Sequence, residues 1–117
     1  MIRALEYKMN EEGISCAIPV LPVKDTTKKV EAGLIVKTLN REKLVSVGTP
    51  QYIRIKDYLK ALKMLEGKDI LFTDEASVLE QGNFTVAAVE GDRKGFKITN
   101  PYDLKIFEYL IKEEICE

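Results

Sequence analysis

One nearly continuous apolar run, from Ile14 to Leu21, limits the possible folds of this chain more than any other stretch. A short apolar run of this kind is typical of a strand that is buried on both faces, as in a parallel sheet flanked by helices. Pro19 and Pro22 have no N–H to donate to a neighbouring strand, so we expect the strand to end or bulge near them. Strands alternate with helices along the chain, and this order predicts an α/β fold with a largely parallel sheet.

The other elements are predicted from the spacing of apolar residues. The pattern indicates an amphipathic helix over 2–11, strands over 44–47 and 84–89, and a short helix that Thr73 or Asp74 can cap and that ends near Leu79. A helix between these strands places Tyr52, Ile55, Leu59, Leu62 and Leu65 on one face. The last helix is expected to bury Leu104, Phe107 and Ile111.

Residues 24–39 predict a two-stranded hairpin with a turn at Glu31-Ala32-Gly33. An isolated hairpin is marginally stable in water, so this one should pack against another surface, its own or a partner's. The lysines of its first half would either bind an anion or form a solvated edge that protects an exposed strand.

The stretch from Gly95 to Pro101 reads as a short strand followed by a helix start. Asn100 is suited to the N-cap, Pro101 to the first helical position, and Asp103 to a variant of the capping box. Lys97 precedes this junction, where an ammonium group and free helix N–H groups are able to receive a phosphate. The alternative is an ordinary strand-to-helix turn with a solvated lysine.

Composition excludes several classes of function. The chain of 117 residues is at most one domain, and its formal net charge of −1 gives no reason to expect a nucleic-acid or membrane partner. It has no His, which excludes a His-based triad, and Cys16 and Cys116 are too few for a disulfide framework or a thiolate metal cage. Without a signal peptide or an apolar run of membrane-spanning length, we expect a reduced, cytoplasmic protein.

Four segments in fixed order carry a family resemblance. They are Pro22-Val23-Lys24-Asp25-Thr26, Asn40-Arg41, Thr49-Pro50-Gln51 followed by Thr73-Asp74-Glu75-Ala76-Ser77, and Val89-Glu90-Gly91 running into Lys97-Ile98-Thr99. In this order they resemble the C-terminal half of methylerythritol phosphate cytidylyltransferase, an enzyme of the non-mevalonate isoprenoid pathway. The resemblance covers essentially all of residues 1–117.

The resemblance implies a partial nucleotidyltransferase fold, Rossmann-like and three-layered, with a mostly parallel sheet and a protruding β-hairpin arm over about 24–39. It implies a transferase reaction in which the phosphate of methylerythritol phosphate attacks the α-phosphorus of CTP and pyrophosphate leaves. Arg41 and Lys97 match family positions that hold the sugar phosphate for attack. Thr49 and Thr73 match contacts in the same pocket, and Thr26 matches an arm residue that completes the site of the neighbour in a homodimer.

The family also has a Gly-rich basic loop that cradles CTP and a segment that helps to bind Mg²⁺, and neither is found in residues 1–117. We therefore expect a fragment or truncated member that keeps the acceptor-phosphate half of the site, with Mg²⁺ required by the full-length enzyme but not bound by this chain alone. We expect this chain alone to be inactive. Two alternatives remain open: a non-catalytic α/β module that binds sugar phosphates or assembles with a partner, and a fragment similar to ribitol phosphate cytidylyltransferase.

Overall fold

The structure is a computed structural model that describes residues 1–95 and 97–113, with Lys94 described by its backbone only. The predictions that concern Phe96 and Cys116 lie outside the described residues. Two short 3₁₀ turns, over Arg41–Lys43 and Arg93–Gly95, accompany the regular elements. In chain order these are α1 (Ile2–Met9), β1 (Cys16–Pro22), β2 (Lys28–Glu31), β3 (Leu34–Thr38), β4 (Val45–Val47), β5 (Tyr52–Ile53), α2 (Ile55–Met64), α3 (Glu75–Gln81), β6 (Val86–Glu90) and α4 (Pro101–Lys112).

The predicted central strand is present as β1, and the rest of the main sheet is arranged around it. β6 pairs with β1 in parallel from Cys16↔Val86 to Val20↔Glu90, which is the longest ladder of the main sheet. β4 and β5 pair with β1 in the antiparallel direction, β4 near its end and β5 near its start. The predicted α/β class is confirmed, and the sheet is mixed.

Helices cover both faces of this sheet, because β1 is apolar on both sides. Cys16 and Ile18 belong to the main core cluster with residues of α2 and α3. Ala17, which alternates with them and so faces the opposite side, is fully buried, as is Leu5 of α1, which packs on β1. The result is a three-layer arrangement with α1 on one face and α3, backed by α2, on the other.

The predicted helix near residue 60 is present as α2, but its predicted buried face is wrong in part. Leu65 is buried in the core as predicted, but Ile55, Leu59 and Leu62 are exposed. The buried residue within α2 is Ala61, which the predicted face does not include. The small Ala61 allows α2 to approach α3 closely, since it packs in the core beside Gly82 at the end of α3. The spacing of the leucines alone therefore did not identify which residues of α2 face the core.

The predicted hairpin is present as β2 and β3, with Lys28↔Thr38 and Glu31↔Leu34 in register. Ala32 and Gly33 both have positive φ, the geometry of the tight turns that suit the twist of a hairpin. Every residue of both strands is exposed, including Leu34 at 73% and Ile35 at 61%. Lys28 donates to Thr38 and Lys29 pairs with Glu31, so these two lysines have partners within the hairpin.

The predicted start of the last helix is confirmed at α4. The Asn100 side chain accepts a hydrogen bond from the Asp103 amide at 2.8 Å, and Asp103 accepts one from the Thr99 amide at 3.1 Å. The short strand predicted just before it is absent at Lys97, Ile98 and Thr99. The burial predicted for Leu104 and Ile111 is also wrong, since they are 46% and 52% exposed, because in the described part of the chain α4 packs against no other element extensively. No helix in the described residues is long and apolar enough to cross a membrane.

We expect Gly82→Ala to destabilise the fold, because Gly82 lies where the end of α3 meets α2. A Cβ at this position would lie 2.8 Å from the Cβ of Ala61 and 3.2 Å from its Cα. Overpacking of this kind should lower the free energy of unfolding by about 1–3 kcal/mol, measured by urea denaturation. Gly48→Ala is the matched control, because a Cβ there meets only Pro19, at 3.8 Å and 3.9 Å. Equal unfolding free energies for the two variants would contradict the close contact of α2 with α3.

Candidate functional site

A cavity of about 430 Å³ lies at the carboxyl ends of the two parallel strands, and we call it the β1–β6 cavity. The last residues of β1 contribute its apolar wall, and Gly91 and Asp92 follow directly after β6. In open α/β sheets the crevice outside the carboxyl ends of the strands is the usual place for a ligand. Its polar lining consists of Ser46, Thr49, Gln51, Thr73, Asp74, Asp92 and Lys97.

The structure brings together three of the five site residues predicted from the sequence. Thr49, Thr73 and Lys97 all line the β1–β6 cavity, although they are far apart in the chain. Thr26 and Arg41 are not part of this lining. Arg41 is exposed, and its guanidinium donates to the backbone carbonyl of Lys24, while Thr26 is exposed in the connection between β1 and β2. Within one copy of the described chain, the β1–β6 cavity therefore contains only part of the predicted site, without Thr26 and Arg41.

Two loops are fixed to the end of β1 by backbone hydrogen bonds. The Gly48 amide donates to the Pro19 carbonyl at 2.9 Å, which anchors the turn that carries Thr49. The Gly91 amide donates to the Val20 carbonyl at 2.8 Å, which anchors the loop that leads to Lys97. A Cβ on Gly91 would lie 3.2 Å from that same carbonyl oxygen, so the close approach favours glycine. These bonds hold both loops against the end of one buried strand.

Thr73 is held by the capping box at the start of α3. Asp74 is the N-cap, and its Oδ1 accepts a hydrogen bond from the Ser77 amide at 2.8 Å. The hydroxyl of Ser77 accepts hydrogen bonds from the amides of Thr73 and Asp74, both at 3.3 Å. Because this box fixes the backbone of Thr73, its exposed side chain stays at the cavity.

Gln51 joins this capping box to the Thr49 turn. Its Nε2 donates to Asp74 Oδ2 at 2.9 Å, and its Oε1 accepts a hydrogen bond from the Ala76 amide at 3.3 Å. The bond from Gln51 is the main reason that the pKa of Asp74 lies below its ordinary value, and the Ser77 amide lowers it further. Asp74 is therefore an ionised acceptor with both oxygens engaged, which does not suit it to act as a proton-transferring base.

Charge on the cavity is unbalanced for an anion. Its lining side chains include one cation, Lys97, and two carboxylates, Asp74 and Asp92. Among the described side chains that line the cavity, Lys97 is the cation, whereas the phosphate of a sugar phosphate carries up to two negative charges, so a further cation from outside this lining would strengthen its binding. Arg41 is an exposed cation of the kind required, and a guanidinium is able to grip a phosphate with two hydrogen bonds.

Metal and thiol chemistry have little support in the described residues. In that part of the chain no group of three or more His, Cys, Asp or Glu side chains could hold a metal ion. Mg²⁺ is usually held by one or two carboxylates together with substrate phosphates, and the carboxylates that line the β1–β6 cavity are those of Asp74 and Asp92. Cys16 is buried in the core, and burial raises the pKa of its thiol to about 11, so this group is not a nucleophile at neutral pH.

Sequence reasoning missed several residues that line or shape the site. Ser46 and Asp92 have no predicted role, and Gln51 is predicted only as part of the Thr49-Pro50-Gln51 motif. The cap of the short helix is predicted at Thr73 or Asp74, and the structure assigns it to Asp74, with Ser77 completing the capping box. The bridge from Gln51 had no sequence signal, because it joins segments more than twenty residues apart.

Comparison with known proteins gives a consistent match. The family model for 2-C-methyl-D-erythritol 4-phosphate cytidylyltransferase matches residues 3–113. The enzyme of that name from Bacillus licheniformis is 39% identical over 113 residues, which are 97% of this chain and 48% of the relative. The one from Carboxydothermus hydrogenoformans is 37% identical over 103 residues, which are 88% of this chain and 44% of the relative. The chain thus spans about half the length of the curated relatives that it matches.

Solved structures agree with the sequence matches. The crystal structure of the 2-C-methyl-D-erythritol 4-phosphate cytidylyltransferase from Thermus thermophilus superposes with a TM-score of 0.75 at 33% identity, covering 94% of this chain and 53% of that one. The Francisella tularensis enzyme superposes with a TM-score of 0.81 at 30% identity, covering 92% and 51%. Since the family model accounts for nearly the whole chain and the fold agrees, the chain belongs to the 2-C-methyl-D-erythritol 4-phosphate cytidylyltransferase family.

Proposed function

We propose that this chain supplies the sugar-phosphate half of the active site of a cytidylyltransferase that joins CTP to methylerythritol phosphate. The observation that carries the proposal is the meeting of Thr49, Thr73 and Lys97 on the β1–β6 cavity. In the reaction, a phosphate oxygen of methylerythritol phosphate forms a bond to the α-phosphorus of CTP. The bond from that phosphorus to the bridging oxygen breaks, and pyrophosphate leaves with the electron pair.

Each residue has a role that its chemistry supports. Lys97 provides a positive charge for the phosphate of the sugar, and the hydroxyls of Thr49 and Thr73 offer hydrogen bonds to its oxygens. Phosphoryl transfer depends chiefly on positioning and charge neutralisation, so residues that only hold the attacking group contribute directly to the rate. The names of the relatives above support methylerythritol phosphate rather than ribitol phosphate as the acceptor.

We propose that a second copy completes the site through the hairpin of β2 and β3. The hairpin is fully exposed and carries Val30, Leu34 and Ile35 on a two-stranded sheet that would be marginal by itself. Thr26 and Arg41 flank this hairpin, one on each side. If the hairpin reaches across to the partner in a homodimer, these two residues would arrive at the partner's cavity and supply the missing cation.

We propose further that the remaining length of the family holds CTP and Mg²⁺, and that this chain corresponds to the C-terminal half. The ordered motifs from Thr26 to Lys97 support the C-terminal assignment, and the coverage of the relatives agrees only with a chain of about half their length. Triphosphates are commonly held by a Gly-rich loop between a strand and a helix, and no described glycine opens such a unit. We expect the enzyme to work in the cytoplasm.

The proposal predicts that the purified chain binds methylerythritol phosphate weakly and that Lys97→Ala weakens this binding. Loss of one charged hydrogen bond should raise the dissociation constant about tenfold, measured by following amide chemical shifts during titration. Lys60→Ala is the matched control, because Lys60 is exposed on α2 and is not part of the cavity lining. Equal dissociation constants for the two variants would overturn the assignment of Lys97.

The same preparation tests where the nucleotide site lies. With CTP, methylerythritol phosphate and Mg²⁺ present, we expect no pyrophosphate release above the enzyme-free blank, because no described glycine opens a strand–loop–helix unit that could hold a triphosphate. Turnover that Lys97→Ala abolishes would contradict the placement of the nucleotide site outside this chain.

A further inference from the structure

We propose that Gln51 is a positioning residue of the sugar-phosphate site, and that its side-chain amide fixes Thr49 and Thr73 relative to each other across the β1–β6 cavity. The inference rests on the proposed function for its ligand. The geometric claim can be tested without any ligand.

The position of Gln51 in the fold supports this role. It lies two residues after Thr49, in the segment between β4 and β5, and it lines the same cavity. Both ends of its amide are used, because Nε2 donates to Asp74 and Oε1 accepts from the Ala76 amide. Among the described residues, both hydrogen bonds that join the Thr49–Gln51 turn to the Thr73–Ser77 segment come from this side chain.

The bridge reaches Thr73 through the capping box. Asp74 follows Thr73 directly. The hydroxyl of Ser77 accepts a hydrogen bond from the Thr73 amide, and the amide of Ser77 donates to Asp74 Oδ1. Anything that moves Asp74 therefore moves the backbone of Thr73 as well. On the opposite side, Gly48 is anchored to Pro19, so the Thr49 turn has a fixed base from which Gln51 acts. Losing the amide would leave the two threonines on separately anchored loops.

The first test compares Gln51→Ala with Gln81→Ala, an exposed glutamine at the end of α3 that is not part of the cavity lining. In the 117-residue chain we expect Gln51→Ala to shift the amide resonances of Thr73 and Ala76 and to raise the pKa of Asp74, because its largest stabilising hydrogen bond is lost. We expect the dissociation constant for methylerythritol phosphate to rise about tenfold, with the far-ultraviolet circular dichroism unchanged. Gln81→Ala should change none of these.

A second variant, Gln51→Glu, keeps the size of the side chain, removes its hydrogen-bond donor and adds a negative charge. At neutral pH two carboxylates would then face each other, so the link to Asp74 is broken and binding weakens. As the pH falls from about 7 to about 5, the pair takes up one proton, which bridges the two carboxyls and restores the link. The ratio of the variant's dissociation constant to that of the wild type should therefore fall toward one.

Taking the ratio at each pH removes the titration of the ligand phosphate and of the groups that both proteins share. Those groups are Cys16 on β1, Glu75 on α3, and Asp92 and Lys97 after β6. A loss caused only by altered packing would not recover in acid. Repulsion between the added charge and the ligand would recover, as would the lost hydrogen bond, and the ligand-free resonances of Thr73 and Ala76 separate these two causes, because they return to the wild-type positions in acid only if the hydrogen bond is restored.

The outcomes separate the two proposals. Unshifted Thr73 and Ala76 resonances in Gln51→Ala, or a Gln51→Glu ratio that does not change with pH, would overturn the positioning role. If the wild-type chain fails to bind methylerythritol phosphate even with a large excess of ligand, the proposed function is overturned. The resonances and the pKa of Asp74 would still decide the role of Gln51.

Discussion

The parallel pairing of β1 with β6 is the interaction on which the rest of the structure depends. It buries the first four residues of β1 and gives the helices on both faces a surface to pack on. Because the two strands run in the same direction, their carboxyl ends meet, and the loops that follow them enclose one cavity. The backbone bonds from Gly48 to Pro19 and from Gly91 to Val20 then place the Thr49 turn and the approach to Lys97 at that end.

The β1–β6 cavity at this end of the sheet has too little positive charge to hold a phosphate dianion tightly. Lys97 is the cation among the described side chains that line the cavity, and Asp74 is held ionised by Gln51 and Ser77. An arrangement of this kind positions polar groups well but holds a dianion poorly. The exposed hairpin has Thr26 and Arg41 at its base. A second copy of the chain would cover its apolar surface and would place Arg41 near a phosphate in the partner's cavity. The unbalanced cavity and the unsupported hairpin thus have one explanation in the proposed homodimer.

Much of the fold could be predicted from the sequence, because its strongest signals are local. The apolar run of β1, the hairpin turn at Ala32-Gly33 and the Asn100 cap of α4 each depend on a few adjacent residues. Predictions of burial failed where burial depends on which element packs against a helix. Ile55 and Leu104 have helical spacing, but this spacing did not reveal that both would be exposed. In the site, Thr49, Thr73 and Lys97 came from the resemblance, but the bridge from Gln51 depends on distant pairing and had no sequence signal.

The most direct test of a site shared between two copies uses two defective chains. In a mixed dimer of Lys97→Ala with Arg41→Ala, one site would combine the intact Lys97 of one chain with the intact Arg41 of the other. After subunit exchange between equal amounts of the two variants, binding of methylerythritol phosphate with the affinity of the wild-type chain should return in about a quarter of the sites, since half of the dimers are mixed and each has one intact site. Binding that stays as weak as in the separate variants would contradict the account.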